Sequence, residues 1–247
     1  MAHEHSKAAP KVTQPRTHSS GGRSLRSAGR TNASAPTPNW SVYHRPMDAS
    51  PDLTAFILAG GKSTRMGADK AFIELDGRTL LVRALELARS VTPDVHIVGD
   101  PAKFATFASV VEDIFPNCGP LGGIHAALRS SQTELNLILA VDIPFVSAAL
   151  LRYLIDRARQ SASAAVTVAH SGGNCQPLCA IYRRNFADAA ENSLRAGHYK
   201  IDKLFEATST QTITEEKLKA AGFPPTAFRN LNTREELAEA SATAKPH

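Results

Sequence analysis

The chain has 247 residues, 43% of them hydrophobic, which is enough to bury one full core. Its formal charge of +5 points at first to nucleic acid, yet residues 1–50 hold seven Lys/Arg against Glu4 and Asp48, and the remainder carries 21 of each sign. The basic balance therefore belongs to the amino-terminal stretch. With no apolar run near the ~18 residues of a membrane span, neither nucleic acid nor a membrane is the expected partner.

In chain order, residues 1–52 are rich in Ser, Ala, Pro, Arg and His and nearly lack aliphatic side chains. Such a segment cannot offset its ordering entropy, so it is expected to be a disordered basic tail ahead of one domain over 53–247. It lacks the apolar core of a secretory signal and the amphipathic pattern of a transit peptide. Met47, just ahead of the first strand, is an alternative start.

From residue 54 the pattern alternates strands and helices, the signature of a doubly wound α/β domain. Residues 54–59 read as a buried strand, and 71–75 as a short strand closed by Asp76-Gly77. Residues 79–91 form an amphipathic helix, with strands at 95–98 and 110–111. A helix over 122–129 leads to the most apolar strand, 136–141. Ser147 caps a helix running to about residue 159. Strands follow at 165–169 and 178–182, helices at 186–195 and 203–207, and a strand at 210–214. A strand near Phe228 and a helix from Thr233 close the chain. Cys118, Cys175 and Cys179 lack C-x-x-C spacing, which disfavours a zinc site and fits small buried hydrophobes in a reducing, cytoplasmic compartment.

Chemistry collects first at the end of the 54–59 strand. Gly60-Gly61 lets a backbone approach a ligand and point N–H groups outward, and Lys62, Arg65 and Lys70 follow within nine residues. That combination suits a polyphosphate; spacing alone leaves a tight turn with a solvated basic face equally open. A P-loop is excluded, because its first glycine would fall on Phe56, and the glycines at 60, 61 and 67 do not give G-x-G-x-x-G. Ligands of open α/β sheets bind at the carboxyl ends of strands, which here gives Gly60-Gly61, Gly99-Asp100, Glu112-Asp113 and Asp142. An acid directly after 137–141 and before Pro144 suits Mg²⁺, which takes one or two carboxylates together with substrate phosphates. Its rival role, capping the next helix, is better filled by Ser147.

Leu58, Ala59, Gly60, Gly61, Ser63, Arg65, Met66, Gly67, Asp69 and Lys70 match, without a gap, the signature L-A-G-G-x-S-x-R-M-G-x-D-K. Asp113 with Gly119-Pro120-Leu121-Gly122-Gly123-Ile124 matches D…G-P-L-x-G-I, and Asp142-Ile143-Pro144 matches D-x-P. Gln176 to Tyr182 matches Q-P-L-x-A-x-Y, and Asn230, Asn232 and Thr233 fit N-x-N-T-x-E-[ED]-L. The chain thus resembles the molybdenum cofactor guanylyltransferase family over roughly residues 54–237. The resemblance implies a mostly parallel, Rossmann-like sheet of the nucleotide-diphospho-sugar transferase type. It implies transfer of GMP from GTP to the terminal phosphate of molybdenum-bearing molybdopterin, with release of pyrophosphate. By the same resemblance Leu58, Ala59, Gly60, Gly61, Lys70, Asp113 and Asp142 bind the nucleotide. Asp142 carries Mg²⁺, and Arg65, Lys70 and Asp142 are catalytic. Gln176, Pro177, Lys200, Asn230 and Asn232 fall on the pterin side, and passing contacts with molybdopterin-carrying proteins and recipient molybdoenzymes are implied.

Relatives often place an asparagine after the second core strand, where this chain has Gly99-Asp100, and Asp100 is a weak replacement. His125 is assigned no role. The alternatives are a cytidylyltransferase of the same kind, which reads L-A-A-G in the first loop, and a non-catalytic nucleotide-binding or cofactor-delivery protein.

Overall fold

The structure, a computed structural model, describes residues 52–60, 69–231, 236 and 239. The expected tail over 1–52 and the start of the last helix at Thr233 lie outside the described residues, Asp52 apart. The elements in order are β1 (Leu53–Leu58), a small β2 (Glu74–Leu75) and β3 (Arg78–Thr79) hairpin, α1 (Leu80–Arg89), β4 (Val95–Val98) and α2 (Pro101–Phe104). Next come β5 (Ser109–Val111), α3 (Pro120–Ser130), β6 (Leu135–Ala140), α4 (Ala148–Gln160), β7 (Val166–Ser171) and β8 (Asn174–Arg183). Helices α5 (Phe186–Arg195) and α6 (Ile201–Ala207), β9 (Thr210–Ile213) and α7 (Glu215–Ala220) complete the set.

The main sheet has seven strands in the order β5-β4-β1-β6-β8-β7-β9. All run parallel except β8, which is antiparallel to both neighbours. The reversal follows from the shortest connection in the sheet. Gly172-Gly173, at φ +60° and +79°, supplies the two positive φ angles of a two-residue hairpin turn, which returns the chain beside itself. Everywhere else helices make the crossovers, on both faces. Leu80, Leu85, Leu150, Leu154 and Leu218 from α1, α4 and α7 pack on one face, with Ile57, Leu137 and Ile181. Leu121, Ile124, Phe186 and Ala190 from α3 and α5 cover the other, with Phe56, Ile138 and Tyr182. Burying each Leu contributes about 1.5–3 kcal/mol relative to exposing it, so the sheet is a rigid platform rather than a set of independent strands. The expected doubly wound α/β sheet, mostly parallel, is the observed one.

The Ser147 cap read from sequence also forms, its hydroxyl accepting from the Leu150 amide at 3.2 Å. Thr79, expected as the first helical residue, instead caps α1 through the Val82 amide at 3.3 Å. Asp76, at φ 54°, and Gly77, at φ 74°, make the β2–β3 turn.

Three expectations need correction. The segment expected as a strand over 71–75 begins as a 3-10 turn, Lys70–Phe72, because the Asp69 carboxylate accepts the Ala71 amide and winds the chain. The expected strand near Phe228 is a 3-10 turn, Pro225–Phe228, opened by consecutive prolines that cannot donate to a ladder. Short α2 and α7 were not expected at all. Of the cysteines, none is paired; Cys179 is buried, its thiol pushed up to about 12 by desolvation, whereas Cys118 and Cys175 are only half-buried.

Candidate active site

The chain leaves β1 outward to β4 and β5, then crosses back to place β6 on the other side of β1. The strand order reverses there, and a doubly wound sheet opens its ligand crevice beyond the carboxyl ends of such a pair. The Val141 amide donates to the Leu58 carbonyl at 3.4 Å, so the two strand ends stay together to the lip. Lys70, returning from the loop after β1, places Nζ 2.9 Å from Oδ2 of Asp142, the residue two beyond the end of β6. Both side chains are mostly buried, at 16% and 21% exposure, so their attraction is screened less than that of a surface pair. The Asp142 carbonyl accepts the Leu231 amide at 2.8 Å, which brings exposed Asn230 alongside.

Asp69 has two duties. One carboxylate oxygen caps the turn that presents Lys70, and the other accepts from Lys103 on α2 at 2.8 Å. Asp100 in turn caps α2 through the Ala102 amide at 2.9 Å. Asp100 is therefore a helix cap, and its effect on the site runs through Lys103. Sequence reasoning missed Lys103; a lysine on a four-residue helix gives no signal of what lies across from it.

Gly60 and Gly99 face each other at the ends of β1 and β4. A Cβ on Gly60 would lie 3.7 Å from the Gly99 Cα, and one on Gly99 would strike the Phe104 ring at 2.8 Å. The outward N–H groups expected here are not found at Ala59 and Gly60, whose amides both donate to the Val98 carbonyl, at 3.1 and 3.2 Å. With those donors committed, Gly60, next to Leu58 and Ala59, offers a ligand a close approach without a side chain instead. Gly61, Arg65 and Asn232 lie outside the described residues.

Asp113 follows β5 and sits against the first turn of α3, with Oδ1 3.6 Å from where a Gly123 Cβ would be. Partial burial raises its pKa above the ordinary carboxylate value. The sign of the consequence is fixed: a group whose folded pKa is raised binds more protons folded than unfolded. Its ionised form therefore costs stability at neutral pH, and the cost disappears as pH falls through the raised value. Asp113→Asn is expected to raise the melting temperature at pH 7 and to leave it unchanged well below the carboxylate range, while weakening nucleotide binding. Thermal melts across pH, with nucleotide titration at pH 7, check this; a lower melting temperature at pH 7 would overturn it.

Where the pterin residues were expected, Leu139 pairs with Cys179 on antiparallel β8, so β8 begins at the same edge that β6 reaches. Gln176 and Pro177 thus stand at the carboxyl edge, where the Gln176 amide donates to the Ser171 carbonyl at 3.0 Å and the Tyr182 hydroxyl to the Pro177 carbonyl at 2.9 Å. Lys200 is exposed at the start of α6, and α6 covers β8 through Ile201, Leu204 and Phe205. His125, given no role from sequence, is buried on α3 and meets Glu191 of α5 at 3.3 Å. Arg195, Arg129 and His125 together hold the Glu191 carboxyl down at about 2, so this α3–α5 link stays ionised except in strong acid.

The family model of the MobA-like NTP transferase domain matches residues 55–212. A molybdenum cofactor guanylyltransferase of Desulfosudis oleivorans is 36% identical over 202 residues, covering 81% of this chain and 98% of that protein. The chain belongs to the molybdenum cofactor guanylyltransferase family. The family's member from Vibrio cholerae is 30% identical and covers 77% of this chain and 92% of its own. Among solved structures, molybdopterin-guanine dinucleotide biosynthesis protein A of Archaeoglobus fulgidus superposes with a TM-score of 0.67 at 26% identity, over 77% of this chain and 97% of that one. The 4-diphosphocytidyl-2C-methyl-D-erythritol synthase of Anaerococcus prevotii, at 15% identity and a TM-score of 0.59 over 77% and 95%, shares the fold alone. This guanylyltransferase family member is a nucleotidyltransferase with the nucleotide-diphospho-sugar transferase fold, and no helix among its described residues is long and apolar enough to cross a membrane.

Proposed function

We propose that the protein transfers GMP from GTP to the terminal phosphate of molybdenum-bearing molybdopterin, forming the guanine dinucleotide cofactor and releasing pyrophosphate. The observation that carries this reading is the contact between Lys70 and Asp142 at the switch point of the sheet, 2.9 Å apart though 72 residues distant in sequence. One cation donor and one carboxylate meet there, beside a glycine corner and with Asp113 just past the end of the next strand but one.

The acceptor in this reaction is a phosphate monoester, already anionic at neutral pH, so no general base is required. The barrier is the approach of one anion to another, and catalysis is positioning plus charge neutralisation. Lys70, held by the Asp69-capped turn, neutralises charge gathering at the α-phosphate, and Arg65 from the same loop serves the departing pyrophosphate. Leu58 to Gly60 let the nucleotide lie against bare backbone, and Asp113 with the first turn of α3 holds its far end. Gln176, Pro177, Lys200, Asn230 and Asn232 orient the pterin on the β8 side.

Asp142 already faces a cation in this structure, and no group of three or more His, Cys, Asp or Glu converges among the described residues. That donor set fits Mg²⁺, which keeps several waters and takes one or two protein carboxylates, rather than a structural metal. Asp142 would hold the ion, which when bound supplies positive charge to the nucleotide phosphates.

Pyrophosphate release by the purified chain, in the presence of molybdopterin carrying molybdenum and Mg²⁺, tests the reading. GTP is expected to support release and CTP is not. Turnover with CTP would make the protein a cytidylyltransferase, and binding without turnover would make it a delivery protein.

A further inference from the structure

Lys70 stands on a turn that short α2 grips through two consecutive residues. Lys103 donates to Oδ2 of Asp69 at 2.8 Å, while Oδ1 of the same carboxylate takes the Ala71 amide at 3.2 Å. Phe104, the next residue of α2, is buried and stacks on Phe72 with ring centroids 5.8 Å apart; Phe107 adds a tilted contact at 6.1 Å. Between the two grips lie buried Ala71 and Lys70, whose Nζ is 2.9 Å from Asp142 Oδ2. The Lys70 carbonyl accepts the Ile73 amide at 3.2 Å and closes the turn.

The gripping helix is itself fixed. Pro101 occupies its first turn, Asp100 caps it through the Ala102 amide at 2.9 Å, and Arg89 of α1 donates to the Phe107 carbonyl at 3.2 Å. Gly99 leaves the space that the Phe104 ring fills, since a Cβ there would lie 2.8 Å from it. The Lys103 side chain is 51% exposed, and an ion pair so placed contributes little to folding. What it governs is orientation. Without it Asp69 keeps its bond to Ala71, but the turn carrying Lys70 is left with one of these two holds on α2.

We propose that Lys103 is a positioning residue for the transfer reaction: by holding Asp69 it sets the turn that aims Lys70 at the phosphates. The proposal rests on the reading of Lys70 as the group that neutralises charge at the α-phosphate. Lys103 touches no reacting atom in this role. Its contribution falls on kcat, because a misplacement of about 1 Å can cost up to about a hundredfold in rate, while binding of the ground state is shared with the rest of the site.

The test is single-turnover and steady-state pyrophosphate release by the full chain, with GTP, Mg²⁺ and molybdenum-bearing molybdopterin. Wild type is compared with Lys103→Met, Lys103→Arg and Asp69→Asn, each also made in a Lys70→Ala background. Lys103→Met is expected to lower kcat about tenfold, with KM for GTP within about twofold and the melting temperature close to wild type. Lys103→Arg still donates to Asp69 and is expected to restore most of the rate. Asp69→Asn keeps an oxygen for the Ala71 amide but loses the charge that Lys103 meets, so it should reproduce the Lys103→Met loss. The deciding arm is Lys70→Ala, in which Lys103→Met should cause no further loss. A further loss there would mean that Lys103 meets substrate itself, and overturns the proposal. An unchanged kcat in Lys103→Met, or a raised KM for GTP with kcat retained, overturns it too. A wild type that releases no pyrophosphate, or Lys70→Ala at the wild-type rate, overturns the reading of Lys70 and this one with it; a slow Lys70→Ala beside a fast Lys103→Met removes Lys103 alone. Lys103→Gln carries the test if the methionine variant melts early.

Discussion

Asp142→Ala is expected to lower kcat by at least about a hundredfold, the usual cost of removing one preorganised electrostatic group from a transition state. Its fold should survive, because the bond from the Leu231 amide goes to the Asp142 main chain and the side chain lies at the lip rather than in either core. Lys70→Ala is expected to match it in size. The informative variant is the double one. Nζ and Oδ2 are in direct contact, so the two substitutions disturb one another's partner and the combined loss is expected to fall well short of the product of the single losses. Single-turnover pyrophosphate release, with melting temperatures of all three variants, is the measurement. Additive losses would mean that the two residues act on separate parts of the substrate. Near wild-type rates would remove them from the machinery altogether.

Gly122→Ala is expected to be the most damaging small substitution, for a steric reason. A Cβ there would sit 2.8 Å from the Phe115 carbonyl oxygen, a main-chain atom that cannot swing aside. Either α3 shifts or the Asp113–Gly119 loop does, at a cost of about 1–3 kcal/mol in stability. Nucleotide affinity should fall with it, since that loop carries Asp113. Gly123→Ala is the control. Its Cβ would make ordinary contacts of 3.4 to 3.6 Å with Leu58, Val98 and Asp113, so stability should be nearly retained. Urea unfolding and GTP titration of both variants distinguish them. Equal stability of the two would show that the loop is softer than its packing indicates.

Much of this molecule was legible in the chain because local rules and the global fold agree. The buried run at 136–141 could only be a central strand, and Ser147 marked the helix start correctly because its hydroxyl reaches the orphan amide of Leu150. The convergence of Lys70 and Asp142 was expected from the strand-end rule together with the motif, whereas their direct contact is a tertiary fact. What was illegible depended on partners far along the chain. Lys103 meets Asp69 across 34 residues, and His125 meets Glu191 across 66. The Ala59 and Gly60 amides were misjudged because a glycine pair says that the backbone is bare, not whether a neighbouring strand has already taken its donors. The reversed β8 was announced by Gly172-Gly173 between two apolar runs, a hairpin signal that the sequence reading passed over in favour of two separate strands.

That reversal has an evolutionary corollary. Because β8 enters from the carboxyl edge, the tight bend joining it to β7 stands at the edge proposed above for the acceptor, with both its ends pinned by ladder bonds. Residues inserted at that bend would reshape what the acceptor side admits without disturbing the donor half built on β1, β4 and β5. A scaffold of this kind can change acceptors by lengthening one hairpin while its nucleotide chemistry stays as it was.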